Sequence, residues 1–147
     1  MENRELQQLA SVAIEQDDYP LAIGYLIEIV TENPEWEHGQ ACYDIAVCYE
    51  ETGNLKEAGE YYKKALSIEP ANYHYLGGYA SFLFQFGDSS EAYDRYLDLY
   101  SMEEKSGDKK GRDETIVGLY ELGKRIGLMK SEVDDSINER LSGSGSK

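Results

Sequence analysis

Along most of this 147-residue chain, apolar positions recur at the three-and-four spacing that marks one face of a helix. Between Gly39 and Asn72 the pattern is clearest. Cys42, Ile45, Ala46 and Tyr49 share one face of a first helix, and Leu55, Ala58, Tyr62, Ala65 and Leu66 share one side of a second. Gly53-Asn54 turns the chain between them. Asn54 followed three residues on by Glu57 is a capping pattern that starts the second helix. Glu60 and Lys64 stand one turn apart outside it, and Pro70 stops it. A lone hairpin of this kind leaves each apolar face half covered, so it needs neighbours.

The neighbours are visible as repeats. Ile45-Ala46 and Ala58 recur 34 residues later as Tyr79-Ala80 and Ala92, with Tyr62 echoed by Tyr96 and Gly53 by Gly87. They occur 36 residues earlier as Leu9-Ala10 and Ala22, with Leu26 in the slot of Tyr62 and Pro34 in that of Pro70. Ala46 and Ala58 are predicted to sit where two helices cross, because a small side chain there lets the backbones approach. Tyr49 and Tyr62 fill the wider gaps beside the crossing.

In chain order, a first hairpin over about 3–36 buries Leu6, Leu9, Ala10, Ala13 and Ile14 from its first helix. Asp18 is the expected N-cap of its second helix, with Pro20 in the first turn, where a missing donor costs little. That second helix, Leu21 to Thr31, is apolar on more than one side, which marks Ile27 and Ile29 as a candidate self-association surface unless the next hairpin covers them. The junction after it is two residues longer than a regular repeat needs, and Trp36 either packs beneath it or stands outside as a contact residue. A third hairpin spans 73–106. Asp88 with Glu91 repeats the capping pattern, Gly77-Gly78 interrupts the first helix, and the absence of a proline near Glu104 lets the second run to about Lys105. Residues 107–112 are read as a polar linker carrying the densest basic cluster, either a solvated loop or a salt-bridge or anion contact. A degenerate hairpin over 113–141 follows, with Ile116, Leu119, Tyr120 and Ile126 on one stripe, Gly127 breaking it, and Ser131 with Asp134 capping a last helix. It is expected to cap the array, and 142–147, SGSGSK, to be a flexible tail.

Charge narrows the function. Twenty-nine acidic against 14 basic residues give a net charge of −15, and between Met1 and Leu55 Arg4 alone is basic against twelve acids. Such a chain repels phosphate backbones and anionic lipid, so neither nucleic acid nor membrane is an expected partner. A partner with Lys or Arg is compatible. No apolar run approaches the ~20 residues that span a bilayer. Cys42 and Cys48 lie six apart on one predicted helix, pointing in different directions, and read as free core residues in a reducing cytoplasm.

The period, the small-residue slots and the closing proline over Ile45-Ala46, Tyr49, Gly53, Ala58, Tyr62, Ala65 and Pro70 resemble the tetratricopeptide repeat. The resemblance covers residues 3–106. It implies an all-α fold, a right-handed α-solenoid of three helical hairpins (about 3–36, 39–72 and 73–106) closed by the C-terminal hairpin as one domain over 1–141. It also implies that the first helix of each unit lines a concave groove. The positions here that match groove-facing family positions are Gln7, Gln8, Ser11 and Glu15, then Tyr43, Asp44, Val47, Glu50 and Glu51, then His74, Ser81, Phe84 and Gln85. An aromatic, an acid and an apolar residue at the centre suit a segment with a basic residue beside an apolar one. Relatives that grip the acidic tail of heat-shock chaperones use Lys, Arg and Asn at several of these places. Here they are Gln7, Ser11, Tyr43, Val47, Gly77 and Ser81, without a cation, so that clamp is not expected.

Chemistry is not signalled. His38 and His74 are the two histidines, and no metal-ligand spacing, nucleophile elbow, phosphate loop or dinucleotide fingerprint is present. The expectation is a non-catalytic interaction module, without metal or cofactor, monomeric or weakly dimeric, that binds a protein or peptide. Two alternatives stand beside it: a small acidic secretion-type chaperone holding an export substrate, and a scaffold binding through its convex surface.

Overall fold

The structure, a computed structural model, describes residues 1–145. Among these, eight α-helices follow one another: α1 (Asn3–Glu15), α2 (Tyr19–Glu32), α3 (Gln40–Glu51), α4 (Leu55–Ile68), α5 (Tyr73–Phe86), α6 (Ser89–Ser106), α7 (Lys109–Arg125) and α8 (Lys130–Gly145). No strand occurs among the described residues. The chain divides into two compact units, Met1–Tyr75 and Leu76–Lys147, and the division falls inside α5.

In the first unit α2 lies between α1 and α3, which explains its apolar excess. Leu6, Ala10 and Ala13 of α1 meet Ala22, Ile23, Leu26 and Ile29 of α2, and Ala41, Ile45 and Cys48 of α3 close the other side. Each large aliphatic side chain fully withdrawn from water there contributes about 1.5–3 kcal/mol. The alanine slots behave as their size requires, with Ala46, Ala58, Ala80 and Ala92 all completely buried. Ile29 is equally inaccessible and offers no surface for self-association, while Ile27 is half-buried against the same cluster. Leu9, expected in the core, is 38% exposed because the buried stripe of α1 runs through Asn3, Leu6, Ala10 and Ala13.

The long junction folds as a 3-10 turn, Trp36–Gly39, with Glu37 and His38 at φ 50° and 56°. Gly39 follows at φ +94°, and a Cβ on it would press on Ile68 at 3.4 Å. Two consecutive non-glycine residues in this region carry strain of order 1–3 kcal/mol each. The surroundings hold them. Tyr75 Oη donates to the His38 carbonyl at 3.0 Å, and Trp36 Nε1 donates to Gln7 Oε1 at 3.2 Å. Trp36 therefore packs at the junction.

Caps follow the sequence in part. Asp18 accepts from Leu21 N, and Asp88 from Ser90 N and Glu91 N. Asn54 stands at the N-cap of α4, as expected, but its side chain makes no capping bond. Its Nδ2 donates to Thr52 Oγ1 at 2.8 Å, closing the turn through the side chain, while its carbonyl starts the helix by accepting from Ala58 N. Ser131 does not cap α8, since that helix begins at Lys130 and Glu132 Oε1 accepts from Met129 N at 3.0 Å.

In the second unit α6 packs against both α7 and α8. Of the segment read as a linker, only Gly107 and Asp108 lie outside helices. Gly107 at φ +75° ends α6 and Asp108 Oδ1 accepts from Gly111 N at 2.9 Å, so α7 starts at Lys109. Two members of the basic cluster form internal pairs, Lys109 with Asp113 at 2.9 Å and Arg112 with Glu104. Val133, Ile137, Leu119 and Leu122 are buried. Helix α8 continues through Ser142–Gly145, where a flexible tail was expected, because extending a formed helix needs no new nucleus. Ser146 and Lys147 lie outside the described residues.

Candidate functional site

The expected partner-facing residues divide between the two units. In the first, Gln7 is engaged by Trp36, and Ser11 is exposed with no hydrogen bond to it. Gln8, Glu15 and Glu51 are exposed as well. The dense group is on α3 and the start of α5. Tyr43 is half-buried and central. Its ring lies 5.3 Å from that of Tyr75, nearly parallel, 4.5 Å from the His74 ring, and 5.6 Å from Tyr62, edge-on. Helix pitch places Asp44, Val47 and Glu50 along the same element, all half-buried.

The carboxylates differ in their partners. Glu50 Oε1 accepts from Tyr62 Oη at 2.7 Å, a link between the two helices of the hairpin, and burial with that bond pushes the Tyr62 phenol far up. Asp44 Oδ1 accepts from Gln40 Nε2 at 2.8 Å. Burial raises the pKa of the Asp44 carboxyl from its ordinary value, and the Gln40 bond and the nearby His74 only partly offset it. Among the described residues no Lys or Arg pairs with it. An ionised side chain short of both water and a counter-charge has most to gain from an incoming cation.

In the second unit Ser81 and Gln85 are exposed on α5, and Gln85 Nε2 lies 3.4 Å from Ser81 Oγ. Phe84 is already covered. Its ring stacks obliquely on Tyr96 at 5.8 Å, and the Arg125 guanidinium lies over it at 4.3 Å. Arg125 Nη1 also donates to the Phe84 carbonyl at 2.9 Å. Tyr79 Oη donates to Glu91 Oε2 at 2.7 Å, the counterpart within this hairpin of the Tyr62–Glu50 bond. A cavity of about 250 Å³, lined by Tyr120, Lys124, Leu128, Lys130 and Val133, opens in the α7–α8 hairpin. It is smaller than the ~300–1,000 Å³ of sites that enclose a whole small ligand. No group of three His, Cys, Asp or Glu side chains able to hold a metal occurs among the described residues. None of the described helices is long and apolar enough to cross a membrane.

Sequence reasoning missed Gln40, Tyr75 and Arg125. The spacing of Gln40 to Asp44, one helical turn, was a usable signal. Tyr75 and Arg125 act across 37 and 41 residues of sequence, which no local pattern encodes.

The hairpin that carries Tyr43 and Asp44 has relatives. Residues 39–72 match the profile described as tetratricopeptide repeat. The match covers the single hairpin of α3 and α4. Among solved structures, this chain is similar to the TPR2B domain of yeast Sti1 in its complex with pHsp70. The TM-score is 0.71 at 14% identity, covering 84% of this chain and 97% of that one. It is also similar to the TPR domain of Sgt2 from Aspergillus fumigatus, with a TM-score of 0.67, 18% identity, and 85% and 79% covered. At these identities the likeness is one of fold. No curated protein sequence matches the chain.

Proposed function

We propose that this tetratricopeptide-repeat chain is a non-catalytic interaction module that binds a protein segment along α3, with Tyr43, Asp44, Val47 and Glu50 as the centre and His74 at its edge. The observation that carries the proposal is Asp44. Its carboxylate is half-buried, raised in pKa by desolvation, and without a Lys or Arg partner. A Lys or Arg side chain laid over the Tyr43 ring would supply that charge, and its neighbour would find Val47 as an apolar contact. The similar structures of Sti1 and Sgt2 domains fit such a role, since the first is a complex with pHsp70. The burial of Ile29 supports this reading over an export chaperone that would dimerise through that residue. Buried free Cys42 and Cys48 fit a reducing compartment such as the cytoplasm.

A displayed peptide library tests the proposal. The wild-type chain should enrich segments with Lys or Arg beside an aliphatic residue, and a Tyr43→Ser, Asp44→Asn double variant with an unchanged helical spectrum should lose them. Enrichment of acidic segments, or equal capture by the variant, would overturn it.

A further inference from the structure

Phe84 and Tyr96 form a second surface that the previous proposal does not use, and the protein supplies its own occupant for it. Three features converge there. The face of the Phe84 ring is backed by Tyr96 at 5.8 Å. The Phe84 carbonyl lies in the last turn of α5, where the final four carbonyls of a helix lack intrahelical donors. The C-terminal end of a helix also favours positive charge. Arg125 satisfies all three at once, with its guanidinium 4.3 Å over the ring and its Nη1 2.9 Å from the carbonyl oxygen. Its charge also acts on Tyr96, lowering a phenol pKa that burial raises.

Arginine is suited to this geometry in a way that lysine is not. A planar guanidinium can lie over an aromatic face and still direct an N–H along its own plane to an acceptor at the ring's edge. An ammonium is a compact point charge that makes one of these contacts well at the expense of the other. Arg125 itself is exposed to solvent. It is the last residue of α7, Gly127 at φ +86° follows it in a turn, and its ion pair with Glu121 spans 3.8 Å on the exposed side of the same helix.

We propose that the Phe84–Tyr96 shelf is an arginine-binding site, and that Arg125 is a resident stand-in which a partner's arginine displaces. This rests on the reading of the chain as an interaction module, but it concerns different residues and needs no identified partner. The site selects arginine over lysine, and Arg125 sets its threshold.

The test uses the full-length chain with ring-labelled phenylalanine, of which there are three, and N-acetyl-arginine amide as the probe. In Arg125→Ala the Phe84 ring signals should shift saturably with the probe. N-acetyl-lysine amide should need severalfold more. Wild type should need roughly tenfold more of the arginine probe, as a competitor seated about nine-tenths of the time requires. Arg125→Lys, which keeps the charge and loses the fork, should fall between the two and guards against a folding defect in the alanine variant. Equal shifts in wild type and Arg125→Ala, equal response to both probes, or no Phe84 shift in either variant would overturn the proposal. Because the readout is at Phe84, it stands or falls separately from binding at Tyr43 and Asp44. A library selection that ignores Tyr43 and Asp44 refutes the earlier proposal and leaves this one untouched.

Discussion

Two glycines in the middle of helices should respond oppositely to the same substitution. Replacing glycine by alanine inside a helix gains roughly 1 kcal/mol, mainly by restricting the unfolded chain. At Gly77 in α5 nothing lies within 4 Å of the added Cβ, so Gly77→Ala should realise most of that gain. At Gly118 in α7 the Cβ would stand 2.4 Å from Tyr96 Cε2 and 2.9 Å from Cδ2. The Tyr96 ring is backed by Phe84, so yielding to the added Cβ means repacking that ring pair. Overpacking of that kind costs about 1–3 kcal/mol. Subtracting the helix gain leaves Gly118→Ala destabilised by about 0–2 kcal/mol, or roughly 3 °C in Tm for a chain of this length. Urea and thermal unfolding followed by far-ultraviolet circular dichroism would measure both variants against wild type. If Gly118→Ala proved as stabilising as Gly77→Ala, the close contact of Gly118 with Tyr96 would be refuted, and with it the rigid shelf beneath Phe84.

Other outcomes follow from the first unit. Tyr62→Phe removes the donor to Glu50 and should cost about 1.5–3 kcal/mol, the range for a hydrogen bond to a charged group, in urea unfolding at neutral pH. Asp44→Asn should be more stable than wild type at pH 7. The folded carboxyl is raised, so its favourable contribution is present at acid pH and lost as pH climbs through its folded pKa. The gap between variant and wild-type melting temperatures should therefore close toward pH 3, and a gap that widened on acidification would contradict the assignment. Burial pushes the Cys48 thiol up to about 11 and Cys42 in the same direction, so iodoacetamide at pH 8 should label neither in the folded chain and both in urea. Rapid labelling of the native protein, read by mass spectrometry, would show that α3 opens.

The helices themselves were local decisions. The three-and-four apolar stripes, Asp18 and Asp88 as caps, and Gly53 at φ +79° in its turn are written in short windows of sequence. The spacing of Ala46, Ala58, Ala80 and Ala92 announced which helix faces meet, because only a small side chain tolerates a close crossing, and all four are buried. Where short-range rules misled, a competing partner had intervened. The Asn54 side chain bonds Thr52 instead of a helix N–H, and α7 begins at Lys109 because Asp108 caps it and Arg112 finds Glu104 on α6.

The candidate sites were legible only as residue types. Sequence placed Tyr43, Asp44 and Phe84 on helix faces, yet it could not say that Asp44 lacks a cation or that Arg125 covers Phe84. Those facts depend on which distant side chains arrive. Helix formation is set within a few residues of backbone hydrogen bonding, whereas the charge and exposure of a surface residue are set by neighbours far away in the chain. That difference in range is why the sequence alone determined the helices and their packing faces, and why tertiary structure alone decided which of the exposed groups remain free to bind.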